Sequence, residues 1–276
     1  MSSRGNVMRS RRSFRHPVLL LILSLLASAG AALADTVMIT GANSGIGLEF
    51  TRQYAAQGWT VIATHRRDQI PDTLKALADQ YSNLRVERMD VTDQTQIEAL
   101  ADKLKGTPID VLINNAGIAT IGEFKGIGVD ENQTLGTLNY DQFDLFIRTN
   151  VRGPIMISEA FLDHVKASKQ KKIIAISSAS GMVSAAPPRG GMYWYGMSKA
   201  ALNKLMVTLS ADVRAAGVIV AMFHPGAVRV EKFSELDWPG MEESPEAIGK
   251  MIKTISGLTL EDSGRFMQND GKTQPW

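Results

Sequence analysis

From Thr36 to Phe223 the chain repeats one pattern: a short run of β-branched and aliphatic residues, a turn, then a stretch of helical period. Strand candidates lie at 36–40, 60–64, 84–89, 111–113, 172–177 and 218–223, with helical segments between them. Strands joined through helices run parallel, and a parallel sheet is stable only when helices cover both of its faces. The pattern therefore predicts one α/β domain with a doubly wound parallel sheet of about seven strands. A chain of 276 residues, 44% hydrophobic, is ample for one such core. No internal repeat or low-complexity segment interrupts it.

The first of these units carries the most specific turn. Residues 36–40 lead into T-G-A-N-S-G-I-G, and a helical stretch runs on to Gln57, with Gly58 placed to end it. Glycines at 41, 45 and 47 allow a tight turn and close backbone approach, while the helix start offers amide hydrogens and partial positive charge to a diphosphate. Gly41, Asn43, Ser44, Gly45, Ile46 and Gly47 are the candidate nucleotide contacts. The spacing is G-x-x-x-G-x-G rather than G-x-G-x-x-G, and a purely structural turn is the competing reading.

Further along, Tyr195 and Lys199 stand four apart in Y-G-M-S-K. Residues i and i+4 share a helix face, so the ammonium can favour a phenolate and bring an acid/base group towards neutral pH. Isolated pairs of this kind also decorate solvated helices, so the surrounding motifs decide.

Composition removes other chemistries. The net charge is +2, and five arginines crowd into residues 1–16, leaving the body without the basic surplus that nucleic acid needs. There is no cysteine, and His16, His65, His164 and His224 have no ligand spacing, so no metal site is expected.

The N-terminus reads as an address. Five arginines without an acid precede a 17-residue uncharged stretch at 18–34, and Ala32-Leu33-Ala34 offers a cleavage site, which makes residues 1–34 an export signal. Ser10-Arg11-Arg12-Ser13-Phe14 is similar to a twin-arginine signal, which directs folded bacterial proteins across the membrane, here to the periplasm. Arg15 and His16 depart from that signal, leaving the general secretory route open. An uncleaved membrane anchor is the alternative, although the run is short of the ~20 residues that span a bilayer. The remainder, 35–276, is the dinucleotide-binding domain, with a substrate loop near 226–244 that carries Phe233 and Trp238.

The order of T-G-A-N-S-G-I-G, Asp90-Val91, N-N-A-G at 114–117, Asn150, I-S-S at 176–178, Y-G-M-S-K and H-P-G at 224–226 resembles the short-chain dehydrogenase/reductase family, in its compact branch, over residues 36–276. G-G-M-Y-W-Y-G-M-S-K-A-A-L-N and the ending D-G-K-T-Q-P-W are similar to the carbonyl reductases that include sniffer and the bacterial C-signal protein. The resemblance implies a Rossmann-type fold with Tyr195 as acid/base and Lys199 lowering its pKa while bonding the nicotinamide ribose. It implies that Ser178 holds the substrate oxygen and that Asn150 positions a water in a proton relay. Capping or kinking its helix is the alternative for Asn150, and Ser177 and Ser180 are alternatives to Ser178. Tyr193 competes for the phenol role but has Met197, not a lysine, four residues on. The seventeen positions from Ser178 to Tyr195 exceed the family's usual gap, and the loop at 187–191 accounts for the excess.

The same resemblance puts Asp90 and Val91 at the adenine, Asn114, Ala116 and Gly117 under its ribose, and Pro225 and Gly226 in the cofactor set. After the second strand the chain reads Thr64-His65-Arg66-Arg67, with no acid to bind ribose hydroxyls and two arginines suited to a 2′-phosphate. This favours NADP over NAD, with an ordinary solvated turn as the alternative for Arg66 and Arg67. After H-P-G the family often carries a Thr that reaches the nicotinamide amide, and Ala227-Val228-Arg229-Val230-Glu231 has none. The expected activity is an NADP(H)-dependent oxidoreductase of carbonyl reductase type, interconverting a small-molecule carbonyl and alcohol by hydride transfer. The competing expectation is a nucleotide-binding sensor with little catalysis. A homo-oligomer is left open.

Overall fold

Strand β1 (Thr36–Ile39) is buried along its whole length, and its alternate side chains feed two different cores. Val37 and Ile39 pack with Phe50 and Tyr54 of helix α1 (Gly45–Ala56) and with Ile248 and Met251 of the helix Ser244–Gly257. Met38 points the other way, to Ile97, Ile157, Leu202 and Met206. A strand apolar on both faces is the signature of a sheet covered on both sides. Each fully buried side chain of this size contributes roughly 1.5–3 kcal/mol.

The computed structural model describes residues 1–2, 34–120, 131–184, 190–231, 234 and 240–276. The chain divides into units Met1–Leu33 and Ala34–Trp276, and every regular element described belongs to the second. Almost all of the expected export signal, the 187–189 part of the expected loop, Phe233 and Trp238 lie outside the described residues.

After α1 come β2 (Thr60–His65), α2 (Asp72–Gln80), β3 (Leu84–Arg88), α3 (Gln94–Lys103) and β4 (Val111–Asn114). Then follow α4 (Phe143–Ile147), a π turn (Arg148–Arg152), α5 (Gly153–Ala160), α6 (Leu162–Lys166) and β5 (Lys172–Ile176). The chain continues with α7 (Tyr193–Val213), β6 (Ile219–His224), β7 (Ala227–Arg229), β8 (Met241–Glu243), α8 (Ser244–Gly257) and β9 (Phe266–Gln268). Seven strands form one parallel sheet in the order β3-β2-β1-β4-β5-β6-β9. This is the expected doubly wound, Rossmann-type α/β fold.

The six expected strands are present with ends shifted by a residue or two. Helix α1 stops at Ala56, and Gly58, at φ +83°, donates its N–H to the Ala55 carbonyl to close the end. Strand β9 is too short to carry a period of its own, and its pairing with β6 defines it. The expected substrate loop contains the β7–β8 pair, which lies outside the main sheet.

Candidate functional site

Neighbouring strands β1 and β4 send their chains to opposite sides of the sheet, which opens a crevice at their carboxyl ends. Gly41 turns there at φ +64°, and a Cβ on it would stand 2.9 Å from the Cα of Ala116. The Thr40 hydroxyl accepts from the backbone N–H groups of Asn115 and Ala116, both at 3.0 Å. Asn115 Nδ2 donates to the carbonyls of Thr40 and Gly41 at 2.9 and 3.1 Å, and a side chain at Gly47 would run into Asn115 and the Gly41 carbonyl. Asn115 and Thr40, both absent from the expected set, thus hold the glycine turn. Asn114 does something else: it is buried in β4, and its Nδ2 donates to Ser158 Oγ of α5 at 3.1 Å. Asn114 thus ties β4 to α5, facing away from Asn115 because consecutive residues leave a strand on opposite faces.

Helix α1 begins with Ser44 exposed and extended, its side chain making no cap bond, and with no acid in the first turn. The Asn43 carbonyl accepts from Thr73 Oγ1 at 2.8 Å, and Ile46 packs on the core. The N–H of Gly45 donates to Glu231 Oε2 at 3.0 Å, and a Cβ on Gly45 would meet Val230 Cγ1 at 3.6 Å. Val230 and Glu231 thus cover the turn after H-P-G, where no threonine stands.

On the other side of the crevice, β5 delivers two serines. Ser177 is buried and donates to Asn203 Oδ1 of α7 at 2.6 Å, which removes it as an alternative to Ser178. Ser178 Oγ accepts from the N–H of Ser180 at 3.1 Å and lies near enough to the Tyr195 phenol to draw its pKa down against the rise that burial causes. Gly181 lets this turn lie on α7, since a Cβ there would be 2.8 Å from the Lys199 carbonyl carbon. Tyr193 opens α7 with its side chain exposed.

The first turn of α7 is secured from outside the helix. Its N-cap, Met192, is left-handed at φ 58° and offers no side-chain cap. The fully buried Gln133 accepts from the Tyr195 N–H at 2.8 Å and donates to the Ala119 carbonyl at 2.9 Å. No spacing signal marks Gln133, a lone amide in an irregular segment.

Lys199 is buried, with Nζ 2.9 Å from the Ile176 carbonyl to which it donates and 5.7 Å from the Tyr195 ring centroid. Burial draws its pKa down to about 8. The Tyr195 phenol is pushed up by burial, and nearby Ser178 opposes that rise. Lys199 Nζ stands over the Tyr195 ring while it donates to the Ile176 carbonyl.

Asn150 sits in the π turn, where an extra residue bends the helix. Its Oδ1 accepts from Ile118 N at 2.8 Å, and its Nδ2 donates to Ile118 O at 2.8 Å and Ser198 Oγ at 2.9 Å. Both ends of the side chain are therefore engaged. Gly117 lies against Asn150 Oδ1 and Lys199 Nζ, at 3.2 and 3.5 Å from a Cβ placed there. Ser178, Tyr195, Lys199, Asn150 and Gly117 thus form one cluster.

At the far end, Arg66 and Arg67 are exposed beyond β2, and Arg88 stands in register with His65 while pairing with Asp68 at 2.7 Å. His65 is held below the usual imidazole range, by burial first and then by Arg88 and Arg67. Thr64 Oγ1 and His65 Nδ1 are buried without a hydrogen-bond partner. Asp90 Oδ1 accepts from the N–H and hydroxyl of Thr92, and Val91 is buried beside it. Pro225 O accepts from Asn269 Nδ2 at 2.9 Å, and Gly226 turns at φ +86°. Among the described residues no group of three His, Asp or Glu could hold a metal.

The short chain dehydrogenase family profile matches residues 35–238. The C-signal protein of Myxococcus xanthus is 31% identical over 181 residues, covering 65% of this chain and 100% of that one. The NADPH-bound carbonyl reductase from chicken fatty liver is 32% identical, with a TM-score of 0.79 over 88% of this chain and 99% of that one. The carbonyl reductase Sniffer of D. melanogaster is 26% identical, with a TM-score of 0.76 over 88% of this chain and 100% of that one. On this agreement of profile, relatives and fold, the chain belongs to the short-chain dehydrogenase family and is an oxidoreductase of it.

Proposed function

We propose that the protein is an NADP(H)-dependent oxidoreductase that interconverts a carbonyl and an alcohol, with Tyr195 as its acid/base. The observation that carries this reading is the cluster of buried Lys199 over the Tyr195 ring, with Ser178 near the phenol and Gly117 and Asn150 against Lys199. A bound nicotinamide supplies or accepts the hydride. A dinucleotide reading of the turn is supported by its tight packing, since Gly41 and Gly47 let it lie directly on Ala116 and Asn115 at the start of α1, where the Gly45 amide now meets Glu231. Ser178 and Tyr195 are placed to stabilise negative charge on the substrate oxygen and to move a proton to or from it. Lys199 is placed to bond the nicotinamide ribose, and Asn150, through its kinked helix, to shape the path behind Lys199.

The experiment is a panel of aldehydes, ketones and quinones assayed for NADPH consumption. Tyr195→Phe is expected to remove most of kcat and leave NADPH binding nearly unchanged. If the variant kept more than about a tenth of kcat/KM, a barrier change below ~1.4 kcal/mol, Tyr195 would leave the mechanism. The sensor reading, motivated by the missing Thr after H-P-G, predicts nucleotide binding without turnover of any compound.

The preference for NADP rests on Arg66, Arg67 and the positive surroundings of His65. Arg66→Ala with Arg67→Ala is expected to weaken NADPH by about 1.5–3 kcal/mol for each charged hydrogen bond lost, and NADH far less. Equal weakening of the two nucleotides would assign the arginines to bulk charge. We also propose that residues 1–34 export the protein.

A further inference from the structure

Among the described residues, the side chain placed on the N–H of Gly45 is an anion. Glu231 Oε2 accepts that N–H at 3.0 Å, at the start of a 12-residue helix whose first turn holds no acid of its own. Around it, Ser234 donates its hydroxyl to the Glu231 backbone carbonyl at 3.1 Å, and Val230 packs towards Gly45. The neighbouring cations are engaged elsewhere: Arg229 Nε donates to Glu243 Oε1 at 2.9 Å, and Arg52 pairs with Glu49. Beside Glu231 lies a cavity of about 360 Å³, lined among others by Leu48, Arg52, Leu77 and Arg229.

The amide at a helix start is the donor a diphosphate requires, and its positive potential serves one anion at a time. We propose that Glu231 is an internal competitor for the cofactor: its carboxylate occupies the diphosphate's place on Gly45, must turn out when a dinucleotide enters, and so sets cofactor affinity. The neighbouring cavity offers the displaced side chain space. The inference rests on the reading of the glycine turn as a dinucleotide site. It also separates two determinants, since Glu231 opposes the diphosphate shared by NADPH and NADH, whereas Arg66 and Arg67 concern only the 2′-phosphate.

The test is fluorescence titration of the full chain with NADPH and with NADH, for wild type, Glu231→Gln, Glu231→Ala and the control Glu246→Gln. Glu231 is exposed, so its variants should fold. Both Glu231 variants are expected to tighten both nucleotides by a similar factor, about three- to tenfold at low ionic strength, shrinking as salt rises. Glu246→Gln, which removes a charge paired with Lys250, is expected to change neither. Unchanged affinity in the Glu231 variants of a protein that binds NADPH would overturn the competitor and leave the dinucleotide reading standing. Weaker binding would make Glu231 a cofactor contact, and an equal gain in Glu246→Gln would reduce the effect to bulk charge; either result overturns the proposal. Binding of neither nucleotide by any of these proteins would remove the dinucleotide reading and the proposal with it.

Discussion

Lys199 carries its charge in a place that disfavours it. Burial lowers its pKa to about 8, against an ordinary 10.5. Below pH 8 the folded and unfolded chains both hold the proton, and the cost of burying it is fully present. Between about 8 and 10.5 the unfolded chain still holds a proton that the folded chain has released, so stability rises with pH through that window, by about 3 kcal/mol for this group alone. Lys199→Met keeps the length of the side chain and removes the charge. Its stability should therefore exceed that of wild type below pH 8, with the two converging towards pH 10.5 in urea unfolding series; parallel curves would contradict the assignment. At this scale, legibility followed spacing. Tyr195 and Lys199 were readable because a helix fixes what i and i+4 share. Asn115 was hidden by its twin Asn114, and nothing local announces that Gln133 reaches Tyr195 across 62 positions.

Gln133 makes its contribution between elements. It binds the loop after β4 to the first turn of α7, whose own cap residue, Met192, supplies no side-chain bond. Gln133→Ala removes this partner from the part-buried Tyr195 N–H and Ala119 carbonyl, each lost bond costing ~0.5–1.5 kcal/mol. The expected result is a fall in kcat of tenfold or more with NADPH affinity nearly intact, because the displaced group is the phenol and not the nucleotide turn. Gln133→Glu keeps the acceptor for Tyr195 N–H and should recover part of kcat; full activity in Gln133→Ala would dismiss the clamp. The buried strands were legible because β-branched runs bounded by turns leave few other readings. The π turn was not, since one extra residue in a helix changes no periodic signal, and β9 is three residues that mean little until β6 lies beside them.

For the molecule as a whole, we propose export with cleavage after Ala34. The mature chain would begin at Asp35, which keeps the bonds its carbonyl accepts from Thr60 N–H and its carboxylate accepts from Gln170. In a bacterial host the protein should be found in the periplasm starting at Asp35, and Arg11→Lys with Arg12→Lys should hold it inside. N-terminal sequencing of each fraction decides: Met1 in membranes supports a retained anchor, and full-length soluble protein in the cytoplasm defeats export and anchor alike. The glycine turn has a bearing on the route. The turn is complete by Gly47, but its opposite wall is β4, and the bond from Thr36 N–H to Asp110 Oδ2 spans 74 positions. Contacts that distant in sequence close late, after the loop entropy between them has been overcome. A nucleotide site on this turn is therefore complete only once β1 and β4 have paired. A chain threaded unfolded through the membrane would have to assemble its cleft first and find its dinucleotide afterwards, on the far side.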